Sequence, residues 1–374
     1  MTKITKYIKQ FIKAETVLLI SGLLAALSMI LVPPTAAYLS YIDFRVLALL
    51  FCLMAVVAGF DETGIFVLLS EKLLMKVANT RSISFVLVML CFLSSMWITN
   101  DVALITFVPF AILILTMADQ MDYLIPIIVL QTIAANLGSM LTPVGNPQNL
   151  YLYSYYNVPI GDFFSITLPF VALSALLLCI CIGFIPKEHI SFTLENDKKT
   201  NHNRPSRIIL YGALFLVCLA CVLRFIDYRI TFLLVFLCIL LLDRKVLRRV
   251  DYSLLMTFVF FFILIGNIGS IPVVRELLAS LLKNRELLVS VLASQLISNV
   301  PAAVLLSAFT NEYRALILGA DLGGLGTLVA SLASLISYKF YCRTAHARKG
   351  RYLKVFTIYN LIFLVVLCLL YLLL

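Results

Sequence analysis

Two carboxylates, Asp101 and Asp321, lie in long apolar stretches that are otherwise free of Asp, Glu, Lys and Arg. Both occur where the helical pattern is disturbed, Asp101 at the end of Thr99-Asn100-Asp101 and Asp321 within the glycine-rich residues 319–327. A charge at membrane depth is costly, so such a residue usually binds an ion, moves a proton or meets a substrate. Polar breaks at corresponding positions of two halves are the sequence signal of a transporter's binding site.

Four polar breaks interrupt the apolar pattern in all. A bilayer tolerates exposed backbone groups only where they line a cavity or bind something. Helix N-termini at such breaks favour an anion, whereas freed carbonyls and carboxylates suit Na⁺ or a proton. The candidate substrate- and ion-binding residues are Thr99, Asn100, Asp101, Thr142, Pro143, Gly145, Asn146, Pro147, Asn149, Ser298, Asn299, Val300, Pro301, Asp321, Gly323 and Thr327. Bound Na⁺ is expected near Asn100, Asp101, Gly145, Asn299 and Asp321.

The composition indicates an all-α polytopic membrane protein, since 62% of the 374 residues are hydrophobic and 13% are charged. Apolar runs of about 20 residues are long enough to cross a bilayer. Predicted spans cover residues 15–32, 46–60, 123–155, 161–185, 208–223, 230–242, 252–270, 315–341 and 355–374. Residues 82–118 and 286–310 are predicted to turn back as re-entrant helical hairpins.

The basic residues are distributed unevenly over the predicted loops. With the Lys-rich start inside, 22 of the 29 Lys and Arg residues fall on the cytoplasmic side, as the positive-inside rule requires. The N-terminus is then cytoplasmic and the C-terminus outside. The net charge of +10 thus reflects membrane topology, and we expect a lipid bilayer rather than a nucleic acid as partner. No cofactor is expected beyond the coupling ion, because the three histidines are scattered over polar loops.

The order of segments predicts two inverted-topology repeats. Residues 1–185 contain the hairpin 82–118 and a broken helix at 123–155, and residues 229–374 contain the hairpin 286–310 and a broken helix at 315–341. A cytoplasmic linker (186–207) and one connecting span (208–228) lie between them, so the second half is upside down. Gly138 to Gly145 and Gly319 to Gly326 have equal spacing in the broken helices, which is a weak echo between the two halves.

The motifs Thr99-Asn100-Asp101, Pro143 to Asn149, Ser298-Asn299-Val300-Pro301 and Gly319 to Gly323 resemble the signature breaks of the ion transporter superfamily. This superfamily includes divalent anion/sodium symporters, citrate carriers, arsenite permeases and one class of Na⁺/H⁺ antiporters. The resemblance implies hairpins that enter from opposite sides, a substrate site between their tips and the broken helices, an elevator-like movement and a homodimer. The amphipathic segments 66–77 and 272–283 would be the connecting arms.

The first hairpin tip departs from the Ser-Asn-Thr tip of the dicarboxylate symporters, since it ends in the carboxylate of Asp101. It is more similar to the tips of arsenite permeases and citrate carriers. We expect a secondary active transporter of the plasma or bacterial inner membrane that couples H⁺ or Na⁺ to a small anion, such as citrate or an oxyanion. Alternatives are a Na⁺/H⁺ antiporter and an arsenite-type efflux permease. A channel or an enzyme is disfavoured, because neither a ring of ligands nor a nucleophile or metal constellation is visible.

The topology can be tested with reporter fusions. A reporter fused at Lys198 is expected to be cytoplasmic, and one fused after Leu374 periplasmic or extracellular. The opposite location at either point would contradict the assignment of both hairpins.

Overall fold

The computed structural model describes residues 15–36, 38–66, 77, 79–189, 205–345 and 347–374. Among these residues all long elements are α-helices, and β structure is limited to one isolated bridge between Asn79 and His189. The helices of nine or more residues are α1 (Thr16–Leu31), α2 (Phe44–Glu62), α3 (Thr80–Ser94), α4 (Asn100–Met117), α5 (Leu124–Gly138), α6 (Pro147–Tyr155), α7 (Ile160–Gly183), α8 (Pro205–Val222), α9 (Tyr228–Leu242), α10 (Tyr252–Gly269), α11 (Pro272–Leu282), α12 (Glu286–Ile297), α13 (Asn299–Ser307), α14 (Tyr313–Leu322), α15 (Leu332–Tyr341) and α16 (Lys349–Leu373).

Seven helical segments in the described part of the chain are long and apolar enough to cross a membrane. They are α2, α4, α7, α8, α10, α16 and residues Met121–Leu141, which include α5. Four further apolar helices, α1, α3, α9 and α12, are shorter. The chain is therefore an all-helical polytopic membrane protein, as its composition predicts. Of the predicted arms, 272–283 corresponds to α11, whereas 67–76 lies outside the described residues, as does the central part of the linker, 190–204.

Both predicted broken helices are interrupted. The helix predicted at 123–155 is divided into α5 and α6 by residues 139–146, and the helix predicted at 315–341 is divided into α14 and α15 by residues 323–331. Asn146 caps α6 by accepting a hydrogen bond from the N–H of Asn149, and Pro147 occupies the first position of this helix, where its missing N–H costs nothing. The local chemistry of this break thus ends one helix and starts another.

Two apolar cores meet at these breaks. The first is formed by side chains of α3, α4, α5, α7, α15 and α16, including Leu87, Phe107 and Phe363. The second is formed by α2, α6, α8, α9, α10 and α13, including Leu50 and Phe258. Because α5 packs in the first core and α6 in the second, the break between them lies at the junction of the cores.

Polar contacts at the two ends of α7 locate one end of each of two helix pairs, α3–α4 and α12–α13. We call the end of a pair that lies away from the turn between its two helices the base. Beyond the C-terminal end of α7, the carbonyl of Glu188 accepts a hydrogen bond from the N–H of Thr80, where the pair α3–α4 begins. Near the N-terminal end, Asp162 accepts a hydrogen bond from the Tyr313 hydroxyl (3.3 Å), just after the pair α12–α13 ends. The bases of these two pairs therefore lie at opposite ends of α7.

Close packing between the first pair and the first break can be tested at Gly138. A Cβ atom at this position would lie 2.2 Å from the backbone oxygen of Phe92, so Gly138→Ala must displace backbone. We expect a loss of about 1–3 kcal/mol in unfolding free energy, measured as a lower thermal unfolding midpoint in detergent. Gly212→Ala is the matched control, since a Cβ there meets open space. An equal midpoint in both variants would contradict this packing.

Candidate functional site

The first residues of α4 and α13 dock on the two breaks. The N–H of Asn100 donates to the carbonyl of Gly145 (3.1 Å), and the N–H of Asn299 donates to the carbonyl of Ala330 (2.9 Å). Each Asn also accepts a hydrogen bond from the following residue on its own side-chain oxygen, at 3.0 Å in both cases. The four breaks predicted from the sequence therefore meet in two pairs.

A second pair of contacts repeats the same arrangement. The hydroxyl of Thr142 donates to the carbonyl of Met96, four residues before Asn100, and the hydroxyl of Thr327 donates to the carbonyl of Gln295 (3.4 Å), four residues before Asn299. The paired positions of the helix starts are 199 residues apart, and those of the breaks are 185 residues apart.

Gly326 does not make the contact that Gly145 makes, although the two glycine pairs are equally spaced. At the second break the carbonyl that accepts the hydrogen bond is that of Ala330. Gly326 has a different role, because its φ of +108° is one that side chains rarely adopt, and a Cβ there would lie 2.4 Å from Gln295 Oε1. Gln295 in turn braces this break through hydrogen bonds to the carbonyls of Gly323 and Leu325, at 3.0 and 2.9 Å.

Asn136, which the sequence analysis did not single out, joins the two halves of the site. Its Oδ1 accepts hydrogen bonds from Asn100 Nδ2 and from Ser331 Oγ, both at 3.0 Å, and its Nδ2 donates to the carbonyl of Gly324 at 3.5 Å. The side chain is 4% exposed. In the sequence Asn136 is one of several polar residues of α5, beside Gln131 and Thr132, and nothing distinguishes it from them.

Asp321 lies 185 residues after Asn136, the same offset that separates Thr142 from Thr327 and Gly145 from Ala330. Its carboxylate is 2% exposed, and Oδ1 accepts hydrogen bonds from Asn146 Nδ2 (3.0 Å) and Gln148 Nε2 (3.4 Å). Oδ2 has no hydrogen-bond partner, and no Lys or Arg of the described residues forms an ion pair with it. Asp321 is thus a buried carboxylate held by amides alone.

A cavity of about 230 Å³ lies between the starts of four helices. It is lined by Asn100 and Asp101 of α4, Pro147 and Gln148 of α6, Ser298, Asn299, Val300 and Pro301 around the start of α13, and Ser331 and Leu332 at the start of α15. Other charged lining residues, not predicted from the sequence, are Glu15, Asp251 and Lys339. Lys339 also counts among the basic residues that the predicted topology assigns to the cytoplasmic side.

The cavity lining divides the predicted site residues into two sets. Seven of the sixteen predicted residues line the cavity. The other nine belong to the breaks around the cavity or to the helix ends that flank these breaks. They are Thr99, Thr142, Pro143, Gly145, Asn146, Asn149, Asp321, Gly323 and Thr327. Asp101 faces the cavity, whereas Asp321 is buried beside α6 and is not part of the lining. The two carboxylates therefore occupy separate environments.

The role of Asn136 can be tested by truncation. Asn136→Ala leaves Asn100 Nδ2 and Ser331 Oγ without their shared acceptor, and each unsatisfied buried group costs about 1–3 kcal/mol. We expect a clearly lower thermal unfolding midpoint. Ser334→Ala is the control, because the buried Ser334 hydroxyl has no partner to lose. A midpoint for Asn136→Ala as high as that of the control would rule out the bridging role.

Comparison of the amino-acid sequence with known proteins identifies the family of this chain. Residues 8–313 match the family model described as citrate transporter. The uncharacterized transporter MJ0456 of Methanocaldococcus jannaschii is 30% identical over 327 residues, which cover 87% of this chain and 88% of the relative. The inner membrane protein YbiR of Escherichia coli is 29% identical over 80% of both chains.

A more distant match is the low-affinity phosphate transporter PHO90 of Saccharomyces cerevisiae, 30% identical over 106 residues, or 27% of this chain and 12% of that protein. The family model covers most of the chain, and the relatives matched over most of their length include a protein named as a transporter. The chain therefore belongs to the citrate transporter family and is a membrane transporter.

Proposed function

We propose that this protein is a secondary active transporter of a small anion, which is a carboxylate such as citrate or an oxyanion. Its transport would be coupled to a gradient of H⁺ or Na⁺. The observation that supports it most directly is the convergence of four helix N-termini on one cavity. The helices are α4, α6, α13 and α15, and the first residues of all four line it.

Helix N-termini favour anions for two reasons. The aligned peptide dipoles place a partial positive charge there, and the first N–H groups have no acceptor within the helix. Side-chain caps and backbone contacts use some of these groups, such as those of Asn100 and Asn299. The N–H groups of Gln148 and Leu332, both in the cavity lining, are left without such an acceptor, so an anion in the cavity would meet free donors.

Cation coupling follows from the carboxylates in the same cavity. Asp101 and Asp251 line it together with Glu15, and Lys339 supplies the positive side chain. An anion would be repelled by this excess of negative charge unless a proton or a cation neutralised part of it. Asp101, in the first turn of α4, is the lining carboxylate that belongs to one of the four converging helices, and it is the coupling residue that we propose.

The paired contacts support two inverted repeats with re-entrant hairpins. The same hydrogen bonds recur at constant offsets of 199 and 185 residues, and the pairs α3–α4 and α12–α13 have their bases at opposite ends of α7. Hairpins that enter from opposite sides and meet broken helices would move together, which is consistent with an elevator mechanism. α11 would then be one of the arms.

The distribution of Lys and Arg indicates the side of the membrane to which the cavity opens. The cavity is lined by residues at the starts of α1 and α10, which the positive-inside distribution assigns to the cytoplasmic side. The arrangement described here would therefore be inward-facing. The name of the Escherichia coli relative supports an inner-membrane location, and the names of the family and of the yeast relative support a carboxylate or an oxyanion as substrate.

The test is transport by the purified protein in proteoliposomes under imposed Na⁺ or pH gradients. Uptake of labelled citrate, succinate, sulfate, phosphate and arsenite is followed together with internal pH. We expect gradient-driven uptake of one of these anions, and a loss of about 100-fold or more in Asp101→Asn, since a missing charge-assisted interaction of about 3 kcal/mol corresponds to that factor.

Asp162→Asn is the matched control, because this carboxylate is partly exposed and lies outside the cavity. It should retain uptake. Proton movement on addition of Na⁺, without uptake of any anion, would replace the proposal with Na⁺/H⁺ antiport. Normal coupled uptake by Asp101→Asn would remove Asp101 from the mechanism.

A further inference from the structure

A second cavity, of about 510 Å³, lies further along two of the helices that line the cavity between the starts of α4, α6, α13 and α15. We call the cavity between the helix starts the first cavity and the second one the outer cavity. The start of α2 lines the outer cavity, and the predicted topology assigns this helix start to the outside of the membrane. The two cavities would therefore open toward opposite sides.

The same two helices, α6 and α10, line both cavities. On α6, Gln148 lines the first cavity and Tyr151 lines the outer one. On α10, Thr257 lines the first cavity and Phe262 lines the outer one. An α-helix rises about 1.5 Å per residue, so the lining residues of the two cavities are about 5 Å apart along α6 and about 8 Å apart along α10. The layer between the cavities is thus about one side chain thick.

Three aromatic rings form this layer. The ring centroids of Tyr151 and Phe258 are 6.0 Å apart, those of Tyr151 and Phe262 are 5.9 Å apart, and those of Phe258 and Phe262 are 6.0 Å apart. The three side chains are 2, 1 and 5% exposed. Each ring contacts the other two, so the layer is closed and apolar.

A buried hydrogen bond fixes the ring of Tyr151. Its hydroxyl lies 2.8 Å from Ser307 Oγ, and this Oγ donates its own proton to the carbonyl of Val304, so Tyr151 is the donor of the pair. Ser307 is the last residue of α13, whose start lines the first cavity. The ring of Tyr151 is therefore tied to the helix pair α12–α13, whereas Phe258 and Phe262 belong to α10.

We propose that Tyr151, Phe258 and Phe262 form a gate in the substrate path, which closes the first cavity toward the outer cavity in the inward-facing arrangement. The proposal rests on the proposed function, because it takes the first cavity as the substrate site. An anion that crossed the layer of rings would lose its hydration, and the Tyr151 hydroxyl already donates to Ser307. Movement of α6 and α13 along α10 would separate the ring of Tyr151 from the other two and bring the first cavity next to the outer one.

The test measures how fast a membrane-impermeant maleimide labels a cysteine in the first cavity from each side of the membrane. Val300→Cys supplies this cysteine, because Val300 lines the cavity and is only partly buried. Labelling of the protein without this substitution gives the background of the native cysteines. Membrane vesicles of both orientations are used, without any anion substrate. We expect fast labelling from the cytoplasmic side and slow labelling from the outside.

Removal of a ring should open the gate. In Phe258→Ala and in Phe262→Ala, each combined with Val300→Cys, the rate of labelling from the outside should rise about tenfold or more, because two ring contacts are lost and about 1.4 kcal/mol corresponds to that factor. The rate from the cytoplasmic side should not change. Phe258→Leu and Phe262→Leu lose less packing, so they test the gate where an alanine variant does not fold, and they should show a smaller rise of the same kind.

Phe261→Ala is the matched control. It removes the same side chain from the same helix, Phe261 is 5% exposed, and it lines neither cavity. The rate of labelling of Val300→Cys from the outside should stay low in this variant.

Three outcomes would overturn the proposal. The first is a rate from the outside that is no higher in the Phe258 and Phe262 variants than in Phe261→Ala. The second is a rise from the outside with a matching fall from the cytoplasmic side, which would show a shift between two arrangements and not the loss of a barrier. The third is fast labelling from the outside with all three rings present. Absence of uptake of every anion, with the expected labelling, would contradict the proposed function and leave the gate in place.

Discussion

A peptide group that leaves its helix inside a bilayer must find a partner within the protein, since lipid offers none. The site depends on this constraint. The carbonyls freed at Gly145 and Ala330 are satisfied by the N–H groups at the starts of α4 and α13, so each interruption needs the other. Once the interruptions are paired in this way, the helix N-termini face a common space, where their partial positive charge opposes the charge of the carboxylates that line it.

The two halves meet this constraint with different local chemistry. The residue before Asn100 has a φ of −56°, whereas Ser298, before Asn299, has a φ of +73° and a ψ of 154°, a conformation that is rare outside glycine and costs about 1–3 kcal/mol. Pro301 also removes an N–H that the equivalent Val102 retains. The start of α13 is thus more strained than the start of α4 and has one backbone donor fewer.

The sequence predicted what depends on local composition and failed where distant residues combine. The lengths of the apolar runs predicted the helices. Pro, Gly and Asn predicted the breaks, because these residues determine the local backbone conformation. The bridging role of Asn136 and the position of Lys339 in the cavity depend on which helices meet, and the sequence does not distinguish Asn136 from Gln131 and Thr132 of the same helix. The equal glycine spacing does not identify the paired contacts, because Gly326 forms a turn that is peculiar to the second break, and the carbonyl that Asn299 contacts is that of Ala330.

Electrostatics connects the two carboxylates under the proposed mechanism. A unit that moves through a low-dielectric environment with both Asp101 and Asp321 ionised and unpaired would carry two uncompensated charges, each with a large desolvation cost. The H⁺ or Na⁺ of the proposed coupling would remove one of these charges. The anion in the cavity then depends on the helix N-termini, Lys339 and the charge state of Asp101. The cost of moving uncompensated charge therefore explains why uptake of the anion would need a coupled cation, and Asp101 is the carboxylate whose charge the anion would meet.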